Sequence, residues 1–381
     1  MLSTLLADLR YSLRAHWNNR SITILAILCL SLGVGLNATM FSVVDGVLIQ
    51  ALPYQDPEHI GFLYGSNVQA GDRRAGVSYQ DYRDLRDSAR SFSAVEIAQG
   101  RSLTISDGAG EPERFVGGAV SSGLFDMLGI QPILGRAFNA ADDVPGAEPV
   151  VMLSHMVWTR RYNQDPGVVN RRILVNARPH TVIGVMPENF GFPEINKLWV
   201  PIAPLNASQP RNARGHDVFV RLAPGVSFEQ ARSEVDAIAA RLASQYPETN
   251  ENWSLVTTDL REESIPDDVS LVILLMMGGA TLVLIIACTN VANLLIARAT
   301  VRRREIAIRA SLGVGKGRIV RQLLVESAVL GVLSIPFSIL VASIGTALLR
   351  AGIPPDNVPY YIQWRVDWRT TAFIIAIAVG T

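Results

Sequence analysis

The chain is poor in cysteine and histidine. Only two of its 381 residues are cysteines, Cys29 and Cys288, and both lie within long apolar runs. The hydrophilic part therefore holds no cysteine, which excludes a disulfide framework there. The five histidines are scattered, at positions 16, 59, 155, 180 and 216. None has the spacing of a metal site, so we predict neither a metal nor a cofactor.

The chain also lacks a surplus of charge and a catalytic constellation. Its 34 Lys and Arg balance 34 Asp and Glu, which argues against nucleic-acid binding by the chain as a whole. Ser154 and His155 are neighbours without a third triad member. The acidic pairs lie in Pro- or Gly-flanked loops, where we expect solvated charge: Asp142-Asp143, Glu262-Glu263 and Asp267-Asp268. We therefore predict that this chain is not an enzyme.

Apolar residues are abundant. They make up 49% of the chain, with a mean hydropathy of +0.25, which indicates membrane spans combined with a sizeable hydrophilic domain. A helix needs about 20 apolar residues to cross a bilayer. Three runs meet this length, 22–44, 269–297 and 323–349. A fourth run, 370–381, is too short, so we expect the chain to stop inside its fourth span.

Positive charge is concentrated between the second and third spans. Segment 298–322 holds eight Lys or Arg and one acid, Glu305. The positive-inside rule places it in the cytoplasm, together with residues 1–21, whose leucine stripe predicts an amphipathic surface helix. Segments 46–268 and 350–369 are then extracytoplasmic. We predict a multi-pass protein of the inner (plasma) membrane.

The glycines and lysine of the basic segment do not form a phosphate loop. In "GVGKGR" the residue after Lys316 is Gly317, where a P-loop has Ser or Thr, and no apolar strand precedes it. We therefore expect no ATPase within this chain.

The large extracytoplasmic segment begins and ends with similar patterns. "HIGFLYG", "SYQDYRDLRDSAR" and "FSAVEIAQG" predict strand, helix and strand, with Ser78 as the helix cap. "DVFVRLA", "SFEQARSEVDAIAARLASQY" and "NWSLVTTDL" repeat this order, with Ser227 as the cap. The region between is rich in short strands and turns. We predict an α+β domain made of two ferredoxin-like βαβ units, with a β-rich subdomain inserted between them.

Polar residues inside the spans indicate helix packing. Asn290 and Asn293 lie on the second span, where polar groups in hydrocarbon seek partners on neighbouring helices. Glu326 lies about one turn inside the third span, near the cytoplasmic surface. We predict that these three residues pack between helices.

Several stretches together resemble one family. "ARATVRRREIAIRASLGVGKGRIVRQLLVES" is similar to the signature of MacB/FtsX-type ABC transporter permeases, and "VSYQDYRDLR", "SSGLFDMLGIQPILGRAF" and "VRLAPGVSFEQARSEVDAIAARLASQYP" resemble their periplasmic core domain. The amino-terminal 60 residues or so resemble a subgroup in which the module is duplicated in one long chain.

The resemblance implies that a cytoplasmic ABC ATPase docks on the basic segment. The implied contacts are Arg303, Arg304, Glu305, Ile306 and Arg309. ATP binding would move the spans, and the spans would move the extracytoplasmic domain, a mechanism called mechanotransmission. A second permease module and an extracytoplasmic partner are the other implied partners, besides the bilayer itself. The substrate stays open.

Two alternatives to transport remain. The chain could be a non-transporting, FtsX-like regulator that switches an extracytoplasmic partner such as a cell-wall hydrolase. A sensor receptor is disfavoured, because the basic loop of about 25 residues leaves no room for an output domain.

Overall fold

The computed structural model describes residues 12, 14, 16, 17, 19–50, 52–106, 108, 111–193, 195–264, 267–301, 316–353, 359–362 and 364–381. The chain forms two compact units. The first unit consists of Met1–Gln50, Asp267–Pro355 and Ile362–Thr381, and the second of Ala51–Pro266 and Asp356–Tyr361.

The first unit is helical. Its helices are α1 (Arg20–Val44), which ends in a π-helical turn (Asp45–Ile49), α9 (Asp267–Val301), α10 (Lys316–Gly352) and α11 (Trp368–Gly380). Among the described residues, three helical stretches are long and apolar enough to cross a membrane: Arg20–Ile49, Val269–Ala297 and Leu323–Gly352. Helix α11 is apolar but shorter. The predicted α-helical membrane fold with three apolar candidate spans is confirmed, and the fourth span stays a prediction.

The second unit is a mixed α/β domain. Its strands are β1 (Ile60–Asn67), β2 (Asp72–Ala75), β3 (Val77–Ser78), β4 (Phe92–Ile105), β5 (Glu113–Val120), β6 (Leu134–Gly135), β7 (Val150–Leu153), β8 (Arg172–Val175), β9 (Arg178–Val185), β10 (Leu198–Pro201), β11 (Arg214–Leu222) and β12 (Ser254–Asp259). Its helices are α2 (Tyr79–Ser88), α3 (Leu124–Leu128), α4 (His155–Tyr162), α5 (Ala203–Asn206), α6 (Phe228–Gln245), α7 (Pro247–Asn250) and α8 (Leu260–Ser264).

Four strands form the predicted ferredoxin-like core. They lie in the order β12-β1-β11-β4, and each neighbouring pair is antiparallel. Strand β1, helix α2 and strand β4 form the first βαβ unit, and β11, α6 and β12 form the second. Two βαβ units that interleave their strands in this way produce a split sheet, as the sequence pattern predicted.

The inserted part continues the same sheet instead of forming a separate layer. Strand β4 is 14 residues long, pairs with β11 along its first half and with β5 along its second, and so belongs to both parts. Beyond β5 the order is β10-β7-β9-β6, with parallel pairs at β5·β10 and β7·β9.

Local capping explains where the two core helices begin. The Ser78 hydroxyl accepts a hydrogen bond from the Asp81 amide at 3.0 Å. Ser227 and Gln230 form a reciprocal capping box at the start of α6. Each cap satisfies amides that have no partner within the helix. Both predicted caps are confirmed.

Candidate functional site

The predicted ATPase-docking residues belong to the segment between α9 and α10. Arg303, Arg304, Glu305, Ile306 and Arg309 lie outside the described residues. Their assignment stays a prediction. The structure does describe the two helices that flank this segment, α9 and α10, which are 35 and 37 residues long.

Helix α1 contacts α9, α10 and α11 in the first unit, which is called the membrane unit below. Two glycines of α1 let α9 and α10 approach it closely. A Cβ on Gly33 would lie 2.9 Å from the Ala287 Cβ of α9. A Cβ on Gly35 would lie 2.6 Å from the Val341 Cβ of α10. The two contacts hold α1 against both long helices, because small residues allow helix backbones to pack closely in a membrane.

A polar contact adds to the packing of α1 against α9. The buried Asn37 side chain donates to the Gly33 carbonyl at 2.9 Å and to the Ala280 carbonyl of α9 at 2.6 Å. Its Oδ1 accepts from the Thr281 hydroxyl at 3.4 Å. Asn37 was not predicted from the sequence. The available signal was an amide in the middle of an apolar span, which needs a partner on a neighbouring helix.

The three residues predicted to pack between helices differ in their environment. Glu326 is 5% exposed, and its backbone carbonyl accepts from the His16 Nε2 at 3.2 Å. His16 is itself buried, and its Nδ1 lies 3.3 Å from the Thr23 hydroxyl. Asn290 and Asn293 are exposed on α9. The packing of Asn290 and Asn293 against a neighbouring helix therefore stays a prediction.

The C-terminal end of α1 is joined by several contacts to the N-terminal part of α11 and the residues just before it. Arg369 pairs with the buried Asp45 at 3.2 Å. The Ser42 hydroxyl donates to the Arg365 carbonyl at 3.3 Å, and the rings of Phe41 and Phe373 stack with centroids 4.2 Å apart. The two helix ends are thus held together by charge, hydrogen bonding and stacking.

In the second unit, a buried ion-pair network joins α2 to the start of β11 and the loop before it. The Asp81 carboxylate accepts from Arg211 at 2.6 Å and from Arg214 at 2.8 Å. Asn250 donates to the same carboxylate at 3.0 Å. The side chain of Asp81 is 1% exposed, so its charge is compensated by these partners instead of by water.

One expectation about acidic pairs is wrong. Asp142 and Asp143 are not solvated: Asp142 is 8% exposed and forms a bidentate pair with Arg136. Asp143 accepts from the amides of Ser122 at 3.1 Å and Ala203 at 2.7 Å. The loop folds back onto β5 and α5, a long-range contact that flanking Pro and Gly residues do not reveal.

A second carboxylate, Glu96, lies in the same region. The Ser121 hydroxyl donates to it at 2.5 Å. The pKa of the Glu96 carboxyl is raised from 4.5 to about 7, chiefly by burial and to a smaller extent by the nearby Asp143. The hydrogen bond from Ser121 and the charge of Arg86 partly oppose this rise. Burial also raises the pKa of Asp143. Both shifts favour the neutral forms, because burial disfavours the charged ones.

We expect Glu96→Gln to remove a pH dependence of stability. Since the pKa of Glu96 is raised on folding, its contribution is complete below pH 4.5 and is lost as the pH rises through about 7. Over this range the free energy of unfolding of the second unit should fall by about 2 kcal/mol in the unmodified protein. The variant should show a flatter profile and be the more stable protein at pH 8.

The measurement is thermal unfolding of the purified protein between pH 5 and pH 8. Glu188→Gln, at an exposed position, is the matched control and should leave the profile unchanged. A Glu96→Gln profile as steep as that of the unmodified protein would contradict the assignment.

Two family models match the chain. The MacB-like periplasmic core domain matches residues 23–238, and the FtsX-like permease C-terminal domain matches residues 277–381. The first match runs from α1 into α6, and the second spans most of α9 together with α10 and α11.

Curated relatives match at low identity. The macrolide export ATP-binding/permease protein MacB of Neisseria meningitidis is 25% identical over 213 residues, covering 55% of this chain and 32% of the relative. The pyoverdine export ATP-binding/permease protein PvdT of Pseudomonas aeruginosa is 24% identical over 337 residues, covering 86% and 49%. The chain thus spans half or less of the length of these relatives.

Among solved structures, the periplasmic region of MacB from Actinobacillus actinomycetemcomitans is similar, with a TM-score of 0.43 and 15% identity, covering 60% of this chain and 98% of that one. The family assignment rests on the two family models, of which the first alone covers more than half of the residues. The chain belongs to the MacB/FtsX-type family of ABC transporter permeases.

Proposed function

We propose that this chain is the permease part of an ABC transporter that is driven by a separate cytoplasmic ATPase. The second unit lies outside the inner membrane, and the segment between α9 and α10 lies in the cytoplasm. ATP binding to the partner moves α9 and α10, and these helices move the second unit. Energy enters through the partner, and this chain supplies no catalytic group.

The observation that carries the proposal is the continuity of α9 and α10. At about 1.5 Å per residue, helices of 35 and 37 residues are about 50 Å long, and each adjoins the predicted docking segment. Both pack on α1 through the glycine contacts at Gly33 and Gly35. We therefore expect a push on the connecting segment to be transmitted along two continuous helices that are held together through α1.

The open face of α9 supports a second permease module as a further partner. Within the described part of the chain, no atom outside the adjoining residues and backbone of α9 lies within 4 Å of a Cβ built on Gly278 or Gly279. Asn290 and Asn293 are exposed on the same helix. A second module, either in another chain or in a tandem half, would give these amides the partners that they need in hydrocarbon.

We expect reversal of two charges to abolish ATPase association. The variant carries Arg303→Glu and Arg304→Glu. The amount of ABC ATPase that co-purifies with the tagged full-length protein from its native membranes should fall by at least about tenfold, because interfacial arginines become repulsive. Mass spectrometry identifies and quantifies the ATPase.

The matched control reverses two exposed arginines of the second unit, Arg73→Glu and Arg172→Glu, and changes net charge by the same amount. It should retain the ATPase at the level of the unmodified protein. Both variants must insert into the membrane. Normal ATPase recovery with the Arg303/Arg304 variant would discard the docking assignment.

A further inference from the structure

A short part of the connection between α10 and α11 belongs to the second unit. Asp356–Tyr361 cluster with the second unit, although the helices on either side belong to the first. Of this stretch, residues 359–361 are described. Tyr360 and Tyr361 pack against an aromatic cluster of the second unit whose members include Tyr54, Phe190 and Phe192.

Tyr360 makes a specific contact, not a general apolar one. Its hydroxyl donates to the Tyr54 hydroxyl at 2.6 Å. Its ring lies 5.4 Å from that of Phe190, and the Tyr54 ring meets Phe192 edge-on at 5.5 Å. Burial raises the pKa of the Tyr360 phenol well above its usual value. Each phenol is thus the hydrogen-bond partner of the other in apolar surroundings. Removing one hydroxyl therefore leaves the other without this partner.

The chain on the far side of Tyr360 is short and firmly held. Four residues after Tyr361, the Arg365 carbonyl accepts from Ser42 of α1. Asp367 then caps α11 by accepting from the Thr370 amide at 2.9 Å. Four residues span at most about 14 Å when fully extended. If this end of α11 moves farther than residues 362–365 can extend, the movement must therefore displace Tyr360.

We propose that Tyr360 is a third attachment of the second unit, through which displacement of α11 and α1 reaches the aromatic cluster. The other two attachments are covalent: the chain enters the second unit after Gln50 and leaves it before Asp267. Tyr360 is a positioning residue and has no catalytic role. The inference rests on the proposed function, because it needs a movement to transmit.

Hydrogen exchange of the purified full-length protein with its ATPase tests the docking of Tyr360 first. Without nucleotide, Tyr360→Phe and Tyr54→Phe should each lower the protection of the amides of residues 360–362 by about tenfold. The double variant should lower it by no more than either single variant. Tyr360→Ala should lower it by about a hundredfold. Trp368→Ala removes an aromatic side chain that is 75% exposed, and should change nothing.

The second readout separates the attachment from the proposed function. In the unmodified protein, trapping the partner with ATP should change exchange both in α9 and α10 and in β10, beside the aromatic cluster. In Tyr360→Ala, exchange in α9 and α10 should still change on ATP trapping, while exchange in β10 should not. If the alanine variant fails to fold, Tyr360→Phe replaces it and should show a partial loss of the β10 response.

Two results would overturn the inference in distinguishable ways. A β10 response that survives loss of docking would discard the attachment and leave the proposed function intact. An unmodified protein in which nucleotide changes exchange nowhere would remove the proposed function, and the attachment with it.

Discussion

Replacing Gly35 by leucine is expected to separate α1 from α10 and to destabilise the membrane unit by about 3 kcal/mol. The added Cβ would lie 2.6 Å from both Cβ and Cγ1 of Val341 and 3.1 Å from the Ser338 carbonyl oxygen. The backbone oxygen cannot rotate away, so the helices must move apart. Thermal unfolding in detergent, followed by size-exclusion chromatography, measures the loss.

The chain offers a control of the same chemistry. Gly278 lies in α9, another membrane helix. Apart from the adjoining residues and backbone of α9, none of the residues that the structure describes comes within 4 Å of a Cβ placed there. Gly278→Leu should therefore leave the transition temperature of the isolated protein nearly unchanged. Equal destabilisation by both substitutions would show that the cost arises from leucine in a span, not from the contact between α1 and α10.

The second large effect is expected from Asp81→Ala. The substitution leaves Arg211 and Arg214, with side chains 15% and 6% exposed, without their shared carboxylate. Breaking a buried charge network from one side costs about 3–5 kcal/mol. Both guanidiniums also rest on aromatic rings, Arg211 at 3.8 Å from Tyr246 and Arg214 at 4.0 Å from Trp253, so they cannot leave without losing these contacts.

Asp87→Ala on the same helix is the matched control. The Asp87 side chain is 64% exposed, and its pair with Arg86 is 3.6 Å long. Exposed pairs contribute about 0–1 kcal/mol, so this variant should unfold close to the unmodified protein. Thermal unfolding of both variants compares the two carboxylates directly. A small loss for Asp81→Ala would mean that solvent replaces the network.

The core of the second unit could be predicted because its signals are local. The apolar strand-forming runs, the Ser78 cap and the Ser227–Gln230 capping box each lie within a few residues, and together they define two βαβ units. Their interleaving into one sheet follows from the ferredoxin-like pattern. The path of the inserted strands could not be predicted, because β5·β10 and β7·β9 join residues far apart in sequence.

Long-range partners also explain the missed site residues. Asn37 bonds to Ala280, Asp143 to Ala203 and Tyr360 to Tyr54, at separations of 243, 60 and 306 residues. Composition around each residue gives no hint of its partner. For Asp143, the interpretation as solvated loop charge was wrong for this reason. For Asn37, the residue type within a span was informative even though the partner was not.

Movement must pass from the ATPase through the helices to the second unit if this chain works as proposed. Spin labels at Val68 and Leu348, positions 71% and 67% exposed, report the distance between the second unit and α10. In lipid nanodiscs containing the full-length protein and its ATPase, we expect ATP trapping to shift this distance distribution relative to the nucleotide-free state. Superimposable distributions in the two states, with ATP demonstrably bound to the partner, would contradict the mechanism.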